Sequence, residues 1–149
     1  MTKAPTPDPN APTPDPKAPT PDPKADDKSF AEIQNLGKEA AAYAESARQE
    51  AEAAEVDKNN AVRATSKENA EKAAKSSREH AGGAKKQAKM SEQAAKKAEE
   101  AAKRIVDETR SQQAEAIAAK AQTEAETAGL DQERADVAAT RAEGIADTS

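Results

Sequence analysis

An uncharged line runs through the most heavily charged part of this chain. Spacings of alternately four and three residues visit Ala70, Ala74, Ser77, Ala81, Ala84, Ala88, Ser91, Ala95, Ala98, Ala102, Ile105, Thr109, Gln112, Ala116 and Ala119. No charge falls on the line, although Lys and Glu crowd the residues between. A mean spacing of 3.5 residues is the seam of a coiled coil. Almost every seam residue is small, so the pattern predicts long helices whose backbones lie close together. The expected fold is all-α: an elongated coiled coil of alanine-rich helices, preceded by an extended polyproline II segment.

Composition removes the ordinary globular alternative. Of 149 residues, 38 are Ala, and only 14 are larger apolar residues. A globular core needs bulky side chains filling space at crystal-like density, and fourteen scattered ones do not supply it. Richness in Ala, Glu, Lys and Gln favours long helix. A third of the chain is charged, which pulls toward disorder. A buried methyl contributes at most about 0.8 kcal/mol. The isolated chain is therefore expected to be marginal, only partly helical, and dependent on concentration or a partner.

The first 28 residues read as a separate linker or attachment segment. Three APTPDP[NK] heptapeptides fill residues 4–24 and hold all nine prolines: Pro5, Pro7, Pro9, Pro12, Pro14, Pro16, Pro19, Pro21 and Pro23. Each proline fixes its own φ and moves its predecessor out of the helical region. The expected form is polyproline II, at most about 65 Å long. It serves as a stiff spacer or as a strand for another protein's groove.

Residues 29–149 form the helical region. Ser29 and Glu32 read as a capping box, with Asp26 and Asp27 suited to the positive end of the dipole. Phe30, Ile33, Leu36 and Tyr43 then share one side as a clamp. Further clamps are expected at Ile105/Val106, Ile117 and Leu130/Val137. Three sites are candidate breaks. Near 57–60 the stripe changes phase, and the helix either continues or restarts near Thr65-Ser66-Lys67-Glu68, with continuation preferred. At Gly82-Gly83 the seam passes from Ala81 to Ala84 without a phase change, which favours a helix with a soft spot over the competing hairpin of residues 30–81 on residues 84–135. Gly129-Leu130-Asp131 is the third, with Gly as a stop. Nothing after Pro23 forbids one helix of roughly 180 Å.

Charge is blocked as well. Residues 25–66 carry nine acids and five bases, residues 67–104 six and eleven, residues 105–149 ten and four. Such blocks set the stagger of neighbouring helices or form a solvated face.

No catalytic, metal-binding or cofactor-binding residues are expected. His80 is the only histidine and reads as a helix-surface residue, because a metal needs several converging ligands. Glu99-Glu100 and Asp107-Glu108 are adjacent pairs that point to different faces and make no acid/base dyad. Phosphate loops, Ser-His-Asp order and zinc spacing are missing. The basic block has no aromatic residue for stacking on nucleic acid, and an alanine face is a poor membrane anchor. Cys is absent, which removes thiolate chemistry. Met1 leads into Thr2, Lys3 and prolines without an apolar run, so no secretory signal or transmembrane span is expected.

Runs such as Lys67-Glu-Asn-Ala-Glu-Lys-Ala-Ala-Lys-Ser-Ser77 and Ser91-Glu-Gln-Ala-Ala-Lys-Lys-Ala-Glu-Glu-Ala-Ala102 resemble the Ala/Lys/Ser/Glu-rich shaft of bacteriophage tail-fibre proteins. The resemblance is compositional and covers roughly residues 30–149. It implies a non-enzymatic virion component made in the host cytoplasm: a homo-oligomer, trimeric by analogy or else dimeric. Its amino terminus would join other virion proteins, and its role would lie in host attachment. The family's globular receptor-binding tip has no counterpart in this sequence. Motifs such as Ala94-Ala-Lys-Lys-Ala98 also resemble late-embryogenesis-abundant proteins, which are disordered in water and helical when dry. Their repeat of eleven residues differs from the seven here. A bacterial surface or cytoplasmic adaptor coiled coil with a proline-rich spacer is the third class, the missing signal peptide telling against the surface form.

Overall fold

The computed structural model describes residues 23–149. These form three helices, α1 (Pro23–Arg63), α2 (Lys67–Ala102) and α3 (Glu108–Thr148). At 1.5 Å per residue they are about 60, 54 and 60 Å long. Ile33 and Leu36, early in α1, cluster with residues late in α2 and early in α3. Ala61, late in α1, meets Ala70 and Ala74 at the start of α2 and Ala142 and Ala146 near the end of α3. The three helices therefore run up, down and up around one shared axis. The all-α class stands, but the rod closes on itself within one chain instead of extending as a single helix.

Both turns fall where no Gly or Pro marks them. The first spans residues 64–66. Ser66 is extended (φ −134°, ψ 152°), and its hydroxyl accepts from the Asn69 amide at 3.2 Å. The helix thus restarts beside Thr65, and the preferred continuation through this region is overturned. Asn59 and Asn60 lie inside α1. The second turn spans residues 103–107 and ends at Asp107, whose carboxylate accepts from the Arg110 amide at 2.9 Å.

Neither glycine site interrupts its helix, as the unbroken seam favoured at Gly82-Gly83 and against the candidate stop at Gly129. Gly82 and Gly83 lie inside α2, and Gly129 lies inside α3, which excludes the hairpin. A glycine costs about 1 kcal/mol in a helix, and packing along a helix of 36 residues outweighs that. At Gly83 the missing side chain has a use. A Cβ there would lie 2.9 Å from the Glu50 carboxyl group crossing from α1.

The start of α1 also differs from the capping-box reading. The helix begins at Pro23, where a missing N–H costs nothing because first-turn amides have no intrahelical partner. Ser29 and Glu32 are consequently interior helix positions, and residues 23–28 are helical, not extended. The attachment segment's other prolines, Pro5 to Pro21, lie outside the described residues.

Alanine makes most of the core. The seam residues Ala70, Ala74, Ser77, Ala81, Ala84, Ala88, Ser91, Ala95, Ala98, Ala102 and Ile105 are all buried. Thr109, Gln112, Ala116 and Ala119 are exposed on α3, because the second turn resets the phase. α3 buries Ala114, Ala118, Ala121, Ala125 and Ala128 in their place. Larger side chains gather at one end, where Ile33, Leu36 and Ile105 are buried and Phe30 and Ile117 pack against them. Tyr43 is half-buried beyond them. Val106, Leu130 and Val137, expected to clamp, are exposed.

Two serines fix the register of α2 on α1. The Ser77 hydroxyl donates to the Ala54 carbonyl, and the Ser91 hydroxyl to the Ala40 carbonyl, both at 2.8 Å. The partner numbers sum to 131 in each pair, the signature of one unbroken antiparallel register. Both serines are fully buried, and a buried hydroxyl needs a partner. Ser77→Ala and Ser91→Ala are each expected to cost about 1 kcal/mol. The double variant should show the sum, because the sites lie two heptads apart. Urea unfolding followed by circular dichroism measures this, and a neutral pair would show that neither bond contributes.

Candidate functional site

Four polar assemblies bridge the helices, and each was hidden from sequence by long separations. At the bulky end, Asp26 of α1 is only 8% exposed. Its carboxylate accepts from the Val106 amide (3.2 Å) and the Asp107 amide (3.0 Å) of the second turn. Next to it, Arg110 of α3 pairs with Asp27 at 2.6 Å and lies over the Phe30 ring at 5.4 Å. The start of α1 thus clasps the turn before α3 through Asp26 and the start of α3 through Asp27 and Phe30. Asp26→Ala is expected to cost about 1–2 kcal/mol, as for a lost helix cap. Faster hydrogen exchange at the Val106 and Asp107 amides would locate the loss; unchanged exchange there would refute the clasp.

At mid-height His80 is not a plain surface residue. Its Nδ1 is 2.7 Å from Glu50 Oε2, and its Nε2 is 3.7 Å from Asp57 Oδ2, both on α1. Ser76 donates to the same Asp57 oxygen at 2.6 Å. Ser, His and Asp therefore meet, but not as a nucleophile. The hydroxyl is bound to the carboxylate, and no imidazole nitrogen is placed to take its proton, as a serine triad requires. The group works as a bridge between α1 and α2. Among the described residues no group of three His, Cys, Asp or Glu could hold a metal ion.

Between α2 and α3, Arg78 donates to Asp136 at 2.6 Å, to Thr140 at 3.1 Å and to Glu143. The Glu143 bond, then the Asp136 bond, raise its pKa above the ordinary arginine value, so the guanidinium stays charged at every relevant pH. On the outer surface of α1, Arg48 donates to Glu45 and holds its carboxyl below the usual range. That pair is solvent-exposed and follows the helix spacing of three. Between α1 and α3, Arg134 lies 3.0 Å from Glu55 and 3.5 Å from Asp131. The Glu55 contact is an ion pair without hydrogen-bond alignment, since Arg134 Nε and Nη2 are buried with no hydrogen-bond partner.

Among the described residues, shallow grooves lie between these bridges. One, of about 330 Å³, runs between α1 and α3 and is lined by Gln34, Gly37, Lys38, Ala41, Ile117 and Lys120 among others. Gly37 allows the approach there, because a Cβ would stand 3.0 Å from Ile117 Cγ2. Nothing in the groove converges on a point as catalytic groups must. No helix among the described residues is long and apolar enough to cross a membrane.

The sequence could have signalled part of this. Glu50 and Asp57 sit one heptad apart, as do Asp136 and Glu143, and each pair brackets one polar residue of α2. Which residue they bracket depends on the turn positions. Comparison with protein-family models, curated proteins and solved structures finds no significant match for the chain.

Proposed function

We propose that this protein is a non-enzymatic structural rod, a stiff spacer that its proline-rich amino terminus joins to a larger assembly. One observation carries the reading. Among the described residues, all of the buried ones except Ile33, Leu36, Ile105, Asp26 and Asp131 are alanine or serine, strung along three helices of about 54–60 Å. Such a chain spends its length on a rod, and the grooves found among its described residues are open to solvent. The alternating three- and four-residue spacing of the buried positions supports the finer reading of the packing as a coiled coil. The polar bridges of Ser77, Ser91, His80 and Arg78 serve the same end by fixing register where alanines alone would slide. A fibre shaft of a phage virion is the assembly whose composition the chain resembles. In this reading whole rods associate through outer surfaces, because the inner seam is already filled.

Circular dichroism and small-angle X-ray scattering of the full chain in dilute buffer test the proposal. Because the seam is filled within one chain, the expectation of a partly helical, partner-dependent chain gives way to that of a strongly helical particle, an elongated rod of about 60 Å. A chain that is disordered in water and turns helical only on drying would overturn it in favour of the protective class.

A further inference from the structure

We propose that the outward face of α3 is a docking surface for a second copy of this chain, lying parallel to the first. The inference rests on the reading of the protein as an assembling rod and adds which surface assembles and in what direction.

Leu130 and Val137 sit one heptad apart on α3 and are 66% and 50% exposed. Leu130 is one of only two leucines in the chain, and the other, Leu36, is buried. Val56, Val62 and Val106 are exposed as well, but of the five only Leu130 and Val137 share one heptad row of a helix. The same heptad position holds Thr109, Ala116, Thr123 and Gly144, so an uncharged row runs the length of the helix. It keeps the phase of Ala74, Ala81, Ala88 and Ala102 in α2. The turn at 103–107 rotates that phase outward, while a second row of alanines packs inward. α3 thus carries two rows, and the bundle uses one.

Charge says what covers the other. Glu126, Glu133 and Asp147 occupy the heptad position on one flank of the row, which contains no base. Lys120, Arg134 and Arg141 occupy the position on the other flank, which contains no acid. Among the described residues, only Arg134 of these six has an ion pair within the chain. A two-fold axis along the rods sets the acidic flank of each copy against the basic flank of the other, twice over. An antiparallel pair would set acid against acid and base against base. The surface is self-complementary in the parallel arrangement alone. Parallel pairing also places both α1 starts at one end, so that two amino-terminal segments leave the pair together.

From Ala116 to Gly144 the row is about 42 Å long. A contact between two single helices lies at the lower end of specific interface sizes. The dimer is therefore reversible and weakened by salt.

Sedimentation equilibrium of the full chain over a wide concentration range tests this. The expected result is a monomer–dimer equilibrium, weakened at least tenfold by Leu130→Glu with Val137→Glu and left in place by Val56→Glu on α1. Helicity is followed alongside, and these exposed substitutions are expected to keep it. The chain has no Cys, so Leu130→Cys and Val137→Cys report direction when oxidised separately. Parallel pairing gives disulfide-linked dimers from both. A monomer at all concentrations, a dimer indifferent to the two glutamates, or crosslinking from fewer than both cysteines would overturn the proposal. A helical, rod-shaped monomer would end this inference and leave the structural rod standing.

Discussion

Ile33→Ala is expected to remove most of the chain's folding free energy. Ile33 is fully buried and is the largest side chain in that condition. It sits where all three helices meet, with Leu36 beside it and alanines of α2 and α3 facing it. Truncating a buried Ile costs about 2–5 kcal/mol, more where the surroundings cannot collapse into the cavity. Here they cannot, because the facing residues are already alanines on helices held in register. The other three clusters consist of buried alanines, with Ile145 the one larger side chain against them. They offer little reserve, so the total stability belongs at the bottom of the usual range of about 5–15 kcal/mol. The expected result in thermal unfolding is a fall of more than about 10 °C and a loss of cooperativity. Val62→Ala supplies the contrast. Val62 is 61% exposed, and its loss should stay within about 0.5 kcal/mol. Equal effects from the two substitutions would mean that the bulky end does not anchor the bundle.

The all-α class was legible because alanine seams leave an unmistakable period. Every seam position from Ala70 to Ile105 is inside, and even Ser77 and Ser91, which break the apolar run, keep its phase. The turns were not legible. Ser66 and Asp107 end two irregular stretches without a single Gly or Pro, so the usual punctuation was missing. Meanwhile Gly82-Gly83 and Gly129 offered false punctuation inside helices. A period alone also leaves direction undetermined. The same spacing serves one long helix beside its copies or a chain folded on itself, and the choice lies in a few residues per turn.

The bridging residues failed to show for a related reason. Helix partners three or four residues away can be read directly, as Arg48 with Glu45 and Glu52. His80 with Glu50, Asp26 with Val106 and Arg78 with Glu143 span 30, 80 and 65 residues. Their pairing follows only once the turns and the register are fixed. Asp26 shows how the chemistry changes with that knowledge. Seen locally it suits the positive end of its own helix; in the bundle its carboxylate supports the turn leading into another.

Gly82→Ala combined with Gly129→Ala should stabilise the protein by about 2 kcal/mol. Each replacement gains about 1 kcal/mol of helix propensity, partly by restricting the unfolded chain. Neither new methyl meets any atom within 4 Å, so no packing cost offsets the gain. The sites lie on different helices and should add. In a bundle whose alanine layers contribute little burial, that increment is a large share of the whole. Gly83→Ala is the internal comparison, because its Cβ would stand 2.9 Å from the Glu50 carboxyl group. Glu50 is flexible and can swing aside, but only by giving up its 2.7 Å contact with His80. Its gain should therefore fall short of that at Gly82, one residue away on the same helix. Urea midpoints of the three variants order the effects. If Gly82→Ala destabilised the protein instead, α2 would have to bend at that residue, and one continuous helix from Lys67 to Ala102 would be untenable.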